Sequence, residues 1–383
     1  MSGGVVFRIF EEARDPVEPA GGWPGVTILV PAHNEESVID VNVRAARAVE
    51  YPDLEILVLD DGSTDETVSV ATAAAEGDER VMVLRDPTNR GKAERLNLGF
   101  GRAKNKLVVV TDADTHLHPL AIKLLVSRIA RSPRIAAVAG APHVTNRRSL
   151  LAALQSLEAA SIIGLSRRTQ ALGGRTAIVA GVLGIFRRTP VLEVGGYDGR
   201  MATEDIALTW RLLLAGWLTT YEPNALVGMQ VPTNLSSLWL QRRRWARGQG
   251  EVLHEYLGAV LRRRSWRVLG VALGACLSLA WVVGLLLALI VATLALFADH
   301  PRVFGFGLAW GIALAFVSIL QLAFAAGIEA RYDRRALVAF LLGPLYPLGF
   351  WAITALAAVC ELPALWRGPG EARVVWDIPR EPG

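Results

Sequence analysis

Leu54-Glu55-Ile56-Leu57-Val58-Leu59-Asp60-Asp61-Gly62-Ser63-Thr64-Asp65 is the stretch that decides the fold. Six residues rich in large apolar side chains run straight into turn-formers, which reads as a buried strand feeding a loop. Gly62 permits the turn, and Ser63 or Thr64 is expected to cap the helix that follows. Upstream, Val26–Val30 is a second such strand, ended by Pro31 and the loop Pro31-Ala32-His33-Asn34-Glu35-Glu36, with a helix expected from about Ser37 to Val49. Downstream, Val81–Arg85 and Leu107–Thr111 read as strands, with a helix around Ala93–Arg102 between them. Strands alternating with helices predict an α/β fold with a parallel, doubly wound sheet. Ligands of such sheets sit at the carboxyl ends of the strands.

That is where the acidic clusters fall. Asp60-Asp61, Asp112-Ala113-Asp114 and Thr203-Glu204-Asp205 each occupy a position where a strand or helix meets a loop. A capped helix start accounts for Ser63, Thr64 and Asp65 but not for two adjacent carboxylates at a strand end. Nucleotide-sugar binding fits the pattern. Aspartates cannot approach a diphosphate directly, so an Asp-x-Asp pair makes sense with a divalent cation between it and the phosphates, Mg2+ or Mn2+ preferring such hard oxygen ligands. Taken alone, Asp112-Ala113-Asp114 reads first as a solvated turn, and it gains weight from its position after Leu107–Thr111. Lys92, after Arg90-Gly91, is suited to meet a phosphate as a point charge. His33, His116, His118 and His143 lack metal-ligand spacing and read as polar loop residues.

Apolarity is concentrated at the other end. The chain has 383 residues, 52% of them hydrophobic, and a mean hydropathy of +0.34, yet residues 1–260 are ordinary in charge. Val268–Phe297, Val303–Ala326 and Ala336–Leu365 each reach the ~20 residues that cross a bilayer core. Arg262, Arg263, Arg264 and Arg267 precede the first run, and Arg331, Arg334 and Arg335 separate the second from the third, whereas the first loop carries only Arg302 beside Asp299. The positive-inside rule then makes the acidic half cytoplasmic. An odd number of spans puts the tail from Arg367 outside, although Pro344, Pro347 and Pro363 also allow the last run to be a re-entrant or interfacial segment. The net charge of +4 sits in arginines that flank these runs, so it speaks for membrane lipids and not for nucleic acid. Two cysteines, Cys276 and Cys360, both lie in apolar runs, which excludes a disulfide framework. The N-terminus carries no signal-peptide pattern.

Between the halves stands Gln241-Arg242-Arg243-Arg244-Trp245. By itself it reads equally as a juxtamembrane basic helix with an aromatic anchor.

With these clusters in this order, the chain resembles the membrane-embedded, processive family-2 glycosyltransferases that make cellulose, chitin, hyaluronan and poly-N-acetylglucosamine. The resemblance spans about residues 24–366. Within that family, Ser161-Ile-Ile-Gly-Leu165 with Arg167-Arg168-Thr169-Gln170, and Leu238-Trp239-Leu240 before Gln241, are similar to the synthases of poly-β-1,6-N-acetylglucosamine. It implies a GT-A-like, Rossmann-like domain at 24–230 after a leader at 1–23, an interfacial helix region at 231–264, about three membrane helices at 265–366 and a tail at 367–383. Interfacial helices are implied near Leu150–Gln170 and Leu235–Tyr256. The resemblance assigns Asp61, with Pro31 and Glu35, to the uracil of a UDP-sugar, Asp112 and Lys92 to the nucleotide sugar, and Asp114 with Asp112 to Mg2+ or Mn2+. Asp205 becomes the general base, supported by Glu204, and Gln241, Arg244 and Trp245 serve the acceptor and the departing diphosphate. The implied reaction is inverting, processive transfer of N-acetylglucosamine from UDP-GlcNAc to a growing β-glycan, exported through the same protein at the cytoplasmic membrane. Transfer from another UDP-sugar, or of one sugar to a lipid, is the other enzymatic reading. N-terminal membrane helices of close relatives are missing, so the pore has fewer helices unless a partner, such as a small membrane subunit, or a second copy supplies them, and no cyclic-di-nucleotide domain follows the spans. Gly140-Ala141-Pro142-His143 stands where relatives have Gly-Asn-Pro-Arg, which bears on donor choice and linkage.

Overall fold

Seven consecutive buried residues, Val26–Ala32, form strand β1. Around it the computed structural model describes residues 15–263, 266–298, 301–332, 334–371 and 374. Most of the expected leader and tail, Arg264, and the side chains of Arg263 and Arg267 lie outside the described residues. The chain divides into two units, one of residues 1–145, 167–230 and 369–383, the other of 146–166 and 231–368. Residues 146–166, expected inside the 24–230 domain, therefore group with the second unit.

The first unit follows the alternation: α1 (Ile39–Arg47), β2 (Leu54–Asp60), α2 (Thr67–Ala75), β3 (Val81–Leu84), α3 (Lys92–Arg102), β4 (Leu107–Val110), β5 (His116–Leu117), α4 (Ala121–Ile129) and β6 (Ile135–Val144). After residue 166 come α6 (Arg167–Leu172), β7 (Gly184–Arg187), α7 (Arg188–Glu193), α8 (Glu204–Leu214) and β8 (Leu218–Met229), with α5 in the second unit. The sheet has the order β3-β2-β1-β4-β7-β6-β8-β5. β3, β2, β1 and β4 are parallel, but β7 runs antiparallel to both β4 and β6, and β5 antiparallel to β8. The expected all-parallel sheet is thus corrected to a mixed one. The strict alternation breaks after β4, where the short β5 follows with no helix between them, and β7 arrives after α6 and an irregular stretch. Ile28, Ile56, Val109, Leu125 and Ile185 lie in its core.

Ser63 and Thr64 do not cap α2. Glu66 stands at the N-cap with no side-chain cap hydrogen bond, and Asp65 Oδ1 accepts from the backbone N–H and the hydroxyl of Thr67 at 3.0 and 2.5 Å. His116 and His143 lie on β5 and β6 and not in loops.

The second unit holds α5 (Leu150–Glu158), a π-helical segment π1 (Ala159–Ser166), α9 (Leu235–Arg263), α10 (Trp266–Phe297), α11 (Pro301–Glu329), α12 (Arg335–Phe340), a second π-helical segment π2 (Tyr346–Phe350), α13 (Trp351–Cys360) and α14 (Ala364–Arg367). Ser149 Oγ caps α5 by accepting the Ala152 N–H at 3.1 Å. Leu154, Leu157, Leu238, Leu322, Ala339, Tyr346 and Phe350 share its core.

α10 and α11 contain spans long and apolar enough to cross a bilayer, Val268–Phe297 and Phe304–Glu329. Leu287, Ile290, Phe316 and Leu320 on them are exposed, as a lipid-facing surface requires. The third expected span is not one helix. It is cut into α12, π2, α13 and α14, with turns around Pro344 and Pro363, because proline removes a helical donor and crowds the preceding turn. The start of the tail has a partner in the first unit. Val374 N–H donates to Gly199 O at 2.8 Å, and residues 369–383 group with the first unit.

Candidate active site

The carboxyl ends of β1, β2 and β4 lie side by side because the three strands pair in parallel and in register. Asp60 ends β2, and Asp61 donates its N–H to Ala32 O at 2.9 Å, which locks its backbone to the end of β1. The loops beyond are zipped together. Ser63 Oγ accepts the Asn34 N–H at 3.0 Å, Asn34 Oδ1 accepts the Thr64 N–H at 2.9 Å, and His33 Nδ1 meets Asp61 O at 2.8 Å. Asn34 holds its φ of +54° at low cost, asparagine being tolerant of the left-handed region. Pro31 is buried at the end of β1. Glu35 is buried as well, its N–H donating to Thr67 Oγ1 at 2.7 Å.

Asp61 is 1% exposed. Its two oxygens accept the backbone N–H groups of Arg90 and Gly91, each at 2.8 Å. Burial pushes this carboxyl up and the two N–H donors pull it back. Asp61 thus aims the start of α3, where Gly91, at φ +89°, turns the chain into Lys92.

Lys92 Nζ donates to Asp112 Oδ1 and lies 3.8 Å from Glu204 Oε1. Burial opposes its ammonium, but Asp112 and Glu204 outweigh burial and hold the pKa above the ordinary lysine range. One lysine therefore joins a strand-end acid to the first residue of α8. Asp114 is half-buried in the turn two residues beyond Asp112. Asp205 Oδ1 accepts the Ile206 N–H at 2.8 Å and Oδ2 the Gly181 N–H at 3.4 Å.

Several contributors carried no readable signal or an overlooked one. Gly181 sits between the two halves of the cluster: a Cβ there would stand 2.9 Å from Lys92 Nζ and 3.3 Å from Asp112 Oδ1. A residue without a side chain announces nothing. Asn42 Nδ2 donates to Asp112 O at 2.9 Å and Thr115 O at 2.8 Å, pinning the Asp-x-Asp turn. Its signal was available, a polar residue on the buried face formed by Ile39, Val43 and Ala46. Tyr197 is buried, and burial together with Asp205, Glu204 and Asp112 raises its hydroxyl well above the usual range, so it stays protonated beside the acids. Gly140-Ala141-Pro142-His143 lies within β6, where Ala141, Pro142 and His143 face Leu226, Val227 and Gly228 of β8.

The cluster assembles Asp61, Lys92, Asp112, Glu204 and Asp205 from four separate segments of the first unit. Gln241, Arg244 and Trp245 belong to α9 of the second unit. There the arginines divide by partner. Arg242 pairs with Glu158, Arg243 with Glu361 at 2.6 Å and Arg247 with Glu251 at 2.7 Å. Arg244 is exposed and has no carboxylate partner among the described residues. Gln241 Oε1 is buried without a hydrogen-bond partner among them.

A mixed sheet of this order with acids at its strand ends, followed by long apolar helices, is the GT-A-like architecture of a membrane-associated glycosyltransferase. The chain belongs to glycosyltransferase family 2: residues 24–248 match the model described as glycosyltransferase like family 2. It is 30% identical over 359 residues, 93% of this chain and 87% of the relative, to a poly-β-1,6-N-acetyl-D-glucosamine synthase of Staphylococcus epidermidis. The synthase of that name from Staphylococcus aureus strain COL is 31% identical over 360 residues, with the same 93% and 87% coverage. Among solved structures, a mannosyltransferase from Pyrobaculum calidifontis in complex with GDP-Man and Mn2+ superposes with a TM-score of 0.59 at 19% identity, covering 91% of this chain and 93% of its own. That likeness bears on the fold.

Proposed function

We propose that this chain transfers N-acetylglucosamine from UDP-GlcNAc to the end of a growing β-linked polysaccharide, inverting the anomeric carbon and remaining bound between additions. The observation that carries the reading is the Lys92–Asp112–Glu204 cluster beside Asp205 at the sheet's carboxyl edge, in a chain similar over most of its length to poly-β-1,6-N-acetylglucosamine synthases. The domain is taken as residues 24–230, with the acceptor elements in the following helix.

Asp61, Pro31 and Glu35 form the uridine end of the donor pocket, and Lys92 the phosphate end. The acceptor hydroxyl approaches Asp205, whose two oxygens each accept a single N–H and so keep lone pairs for a proton. As that hydroxyl oxygen bonds to the anomeric carbon, its proton passes to Asp205 and the bond to the diphosphate breaks. One displacement assisted by one base inverts the centre. Arg244 takes the charge on the departing diphosphate, and Trp245 stacks on the acceptor sugar.

The residues fit a divalent cation. Asp112 and Asp114, both half-buried at the turn after β4, offer hard carboxylate oxygens, which suits Mg2+ or Mn2+ completed by substrate phosphate oxygens. When bound, the cation neutralises charge on the diphosphate. The arginine distribution and the two apolar helices support a multi-pass protein of the cytoplasmic membrane with the first unit inside, exporting its product, alone or with a small membrane subunit.

The test is UDP release by the purified protein in nanodiscs with UDP-GlcNAc, UDP-glucose and UDP-glucuronate in turn, with Mg2+ or Mn2+, followed by product sizing and linkage-specific digestion. A long polymer from UDP-GlcNAc alone, cut by a β-1,6-specific glycosidase, is expected. A lipid-linked product of fixed size, or turnover only with another donor, overturns the reading.

A further inference from the structure

Arg242 occupies a position between Gln241 and Arg244 to which neither the sequence reading nor the proposed mechanism gives a role. It is 5% exposed, unlike Arg243 and Arg244 beside it. Its Nη1 donates to Glu158 Oε1 at 2.9 Å and its Nη2 to Oε2, a two-pronged contact that fixes both the position and the plane of the guanidinium. Tyr346 Oη lies 3.4 Å from the same Oε1. The guanidinium carbon stands 4.6 Å from the centre of the Trp245 ring and 5.0 Å from that of Phe350, close enough for cation–π attraction. Tyr346 and Phe350 stack on each other at 5.3 Å.

Both π-helical segments end on this cluster. Glu158 is the residue before π1, and Tyr346 and Phe350 are the first and last residues of π2. Such widened turns are uncommon and recur where a function holds them. Nor does stability account for the pair. Two buried charges lose much of their hydration, and apolar side chains of similar size are often as stable. What the arrangement does supply is geometry: Trp245 is 44% exposed, with a fixed cation against it and part of the ring left open.

We propose that Glu158 and Arg242 are positioning residues of the acceptor subsite. Glu158 orients Arg242, Arg242 holds the Trp245 indole in the attitude that stacks on the acceptor sugar, and Tyr346 and Phe350 buttress the fork. The inference rests on the reading of Trp245 as the acceptor platform given above. An indole held before binding loses less freedom when the sugar arrives, so the fork acts on acceptor affinity and on retention of the chain between additions, not on the donor.

The test uses the full chain in nanodiscs. UDP-GlcNAc turnover is measured against a titrated β-linked N-acetylglucosamine oligosaccharide, with donor hydrolysis in the absence of acceptor as the internal measure of an intact first unit. Glu158→Gln is expected to raise the acceptor KM on the order of tenfold, about 1.4 kcal/mol, and to shorten the product, with donor hydrolysis unchanged within about twofold. Trp245→Ala raises the acceptor KM at least as much. The double variant Glu158→Gln/Trp245→Ala is no worse than Trp245→Ala alone, because Glu158 acts through that ring. Arg242→Lys, which keeps the charge and loses the fork, behaves like Glu158→Gln and carries the test if the latter does not accumulate. Additive losses in the double variant, or loss of donor hydrolysis along with acceptor binding, overturn the proposal and leave a merely structural pair. A wild-type acceptor KM in Trp245→Ala instead overturns the acceptor reading of Trp245 itself.

Discussion

Gly181→Ala isolates the spacing of the Lys92–Asp112 pair. Gly181 is not in the left-handed region, so alanine meets no backbone penalty and the perturbation is the added methyl alone. That methyl would stand 2.9 Å from Lys92 Nζ and 3.3 Å from Asp112 Oδ1. Ordinary contact needs ~3.5 Å, so the flexible lysine end gives way by about 0.6 Å. At an effective dielectric constant of about 20, stretching a unit-charge pair from about 2.8 to about 3.4 Å loses roughly 1 kcal/mol. If the donor's phosphates use the same lysine, the donor KM rises about fivefold, with little change in kcat. The assay is UDP release at saturating acceptor with the donor titrated. Lys92→Met, which leaves Asp112 without its cation, is the upper bound, a loss on the order of a hundredfold or more. A donor KM for Gly181→Ala within twofold of wild type, in a protein where Lys92→Met is crippled, refutes the argument that this spacing is set for the donor.

Other outcomes follow from the same geometry. Asp205→Asn, a near-isosteric change, should lower kcat by about 10²–10⁴-fold with the donor KM nearly unchanged, read by steady-state kinetics. Arg244→Ala should weaken turnover at least tenfold, while Arg243→Ala, which breaks only the half-exposed pair with Glu361, should cost less than about 1 kcal/mol of stability and little activity; comparing their kinetics and melting temperatures checks both. Gly62→Ala should destabilise by more than about 1–2 kcal/mol, because φ there is +71° and a Cβ would meet Asn89 N at 2.6 Å, measured as a lowered Tm. In pH dependence, the Arg80 side chain holds Asp78 below its ordinary 3.8 despite partial burial, so its stabilisation is present above that value and lost as pH falls. Lys92 stands above its ordinary 10.5, so its stabilisation is present below that value and lost only as pH rises beyond it. A Tm flat from about pH 5 to 9 and falling on either side is expected.

β1 through β4 were legible because buried parallel strands are short apolar runs closed by turn-formers, and the acids at their ends were legible because water-exposed loops rarely double carboxylates at a strand end. β7 was not, since Gly184–Arg187 is four residues long and follows an irregular stretch. Asn42 shows a signal present and passed over, a lone amide among Ile39, Val43 and Ala46. Gly181 gives the opposite case: its contribution is the absence of atoms, and only the positions of Lys92 and Asp112 reveal it. The consecutive arginines 242–244 are indistinguishable as letters. Packing alone separates the one tied to Glu158 from the one left facing outward. The last apolar run has the composition of a span, and its prolines left the broken form open, which is the form it takes.

The second unit is discontinuous in sequence, residues 146–166 joining 231–368, and this sets a timetable for synthesis. β6 cannot complete its pairing with β8 until residue 229 has emerged, by which time α5 and π1 are already made. Leu154 and Leu157 share a core with Leu322, about 165 residues later. At about 5–20 residues per second those leucines wait roughly 8–33 s for their partner. During that interval Leu238, a lipid surface or a chaperone must cover them, and cutting the gene after residue 230 would remove every later partner they have in that core.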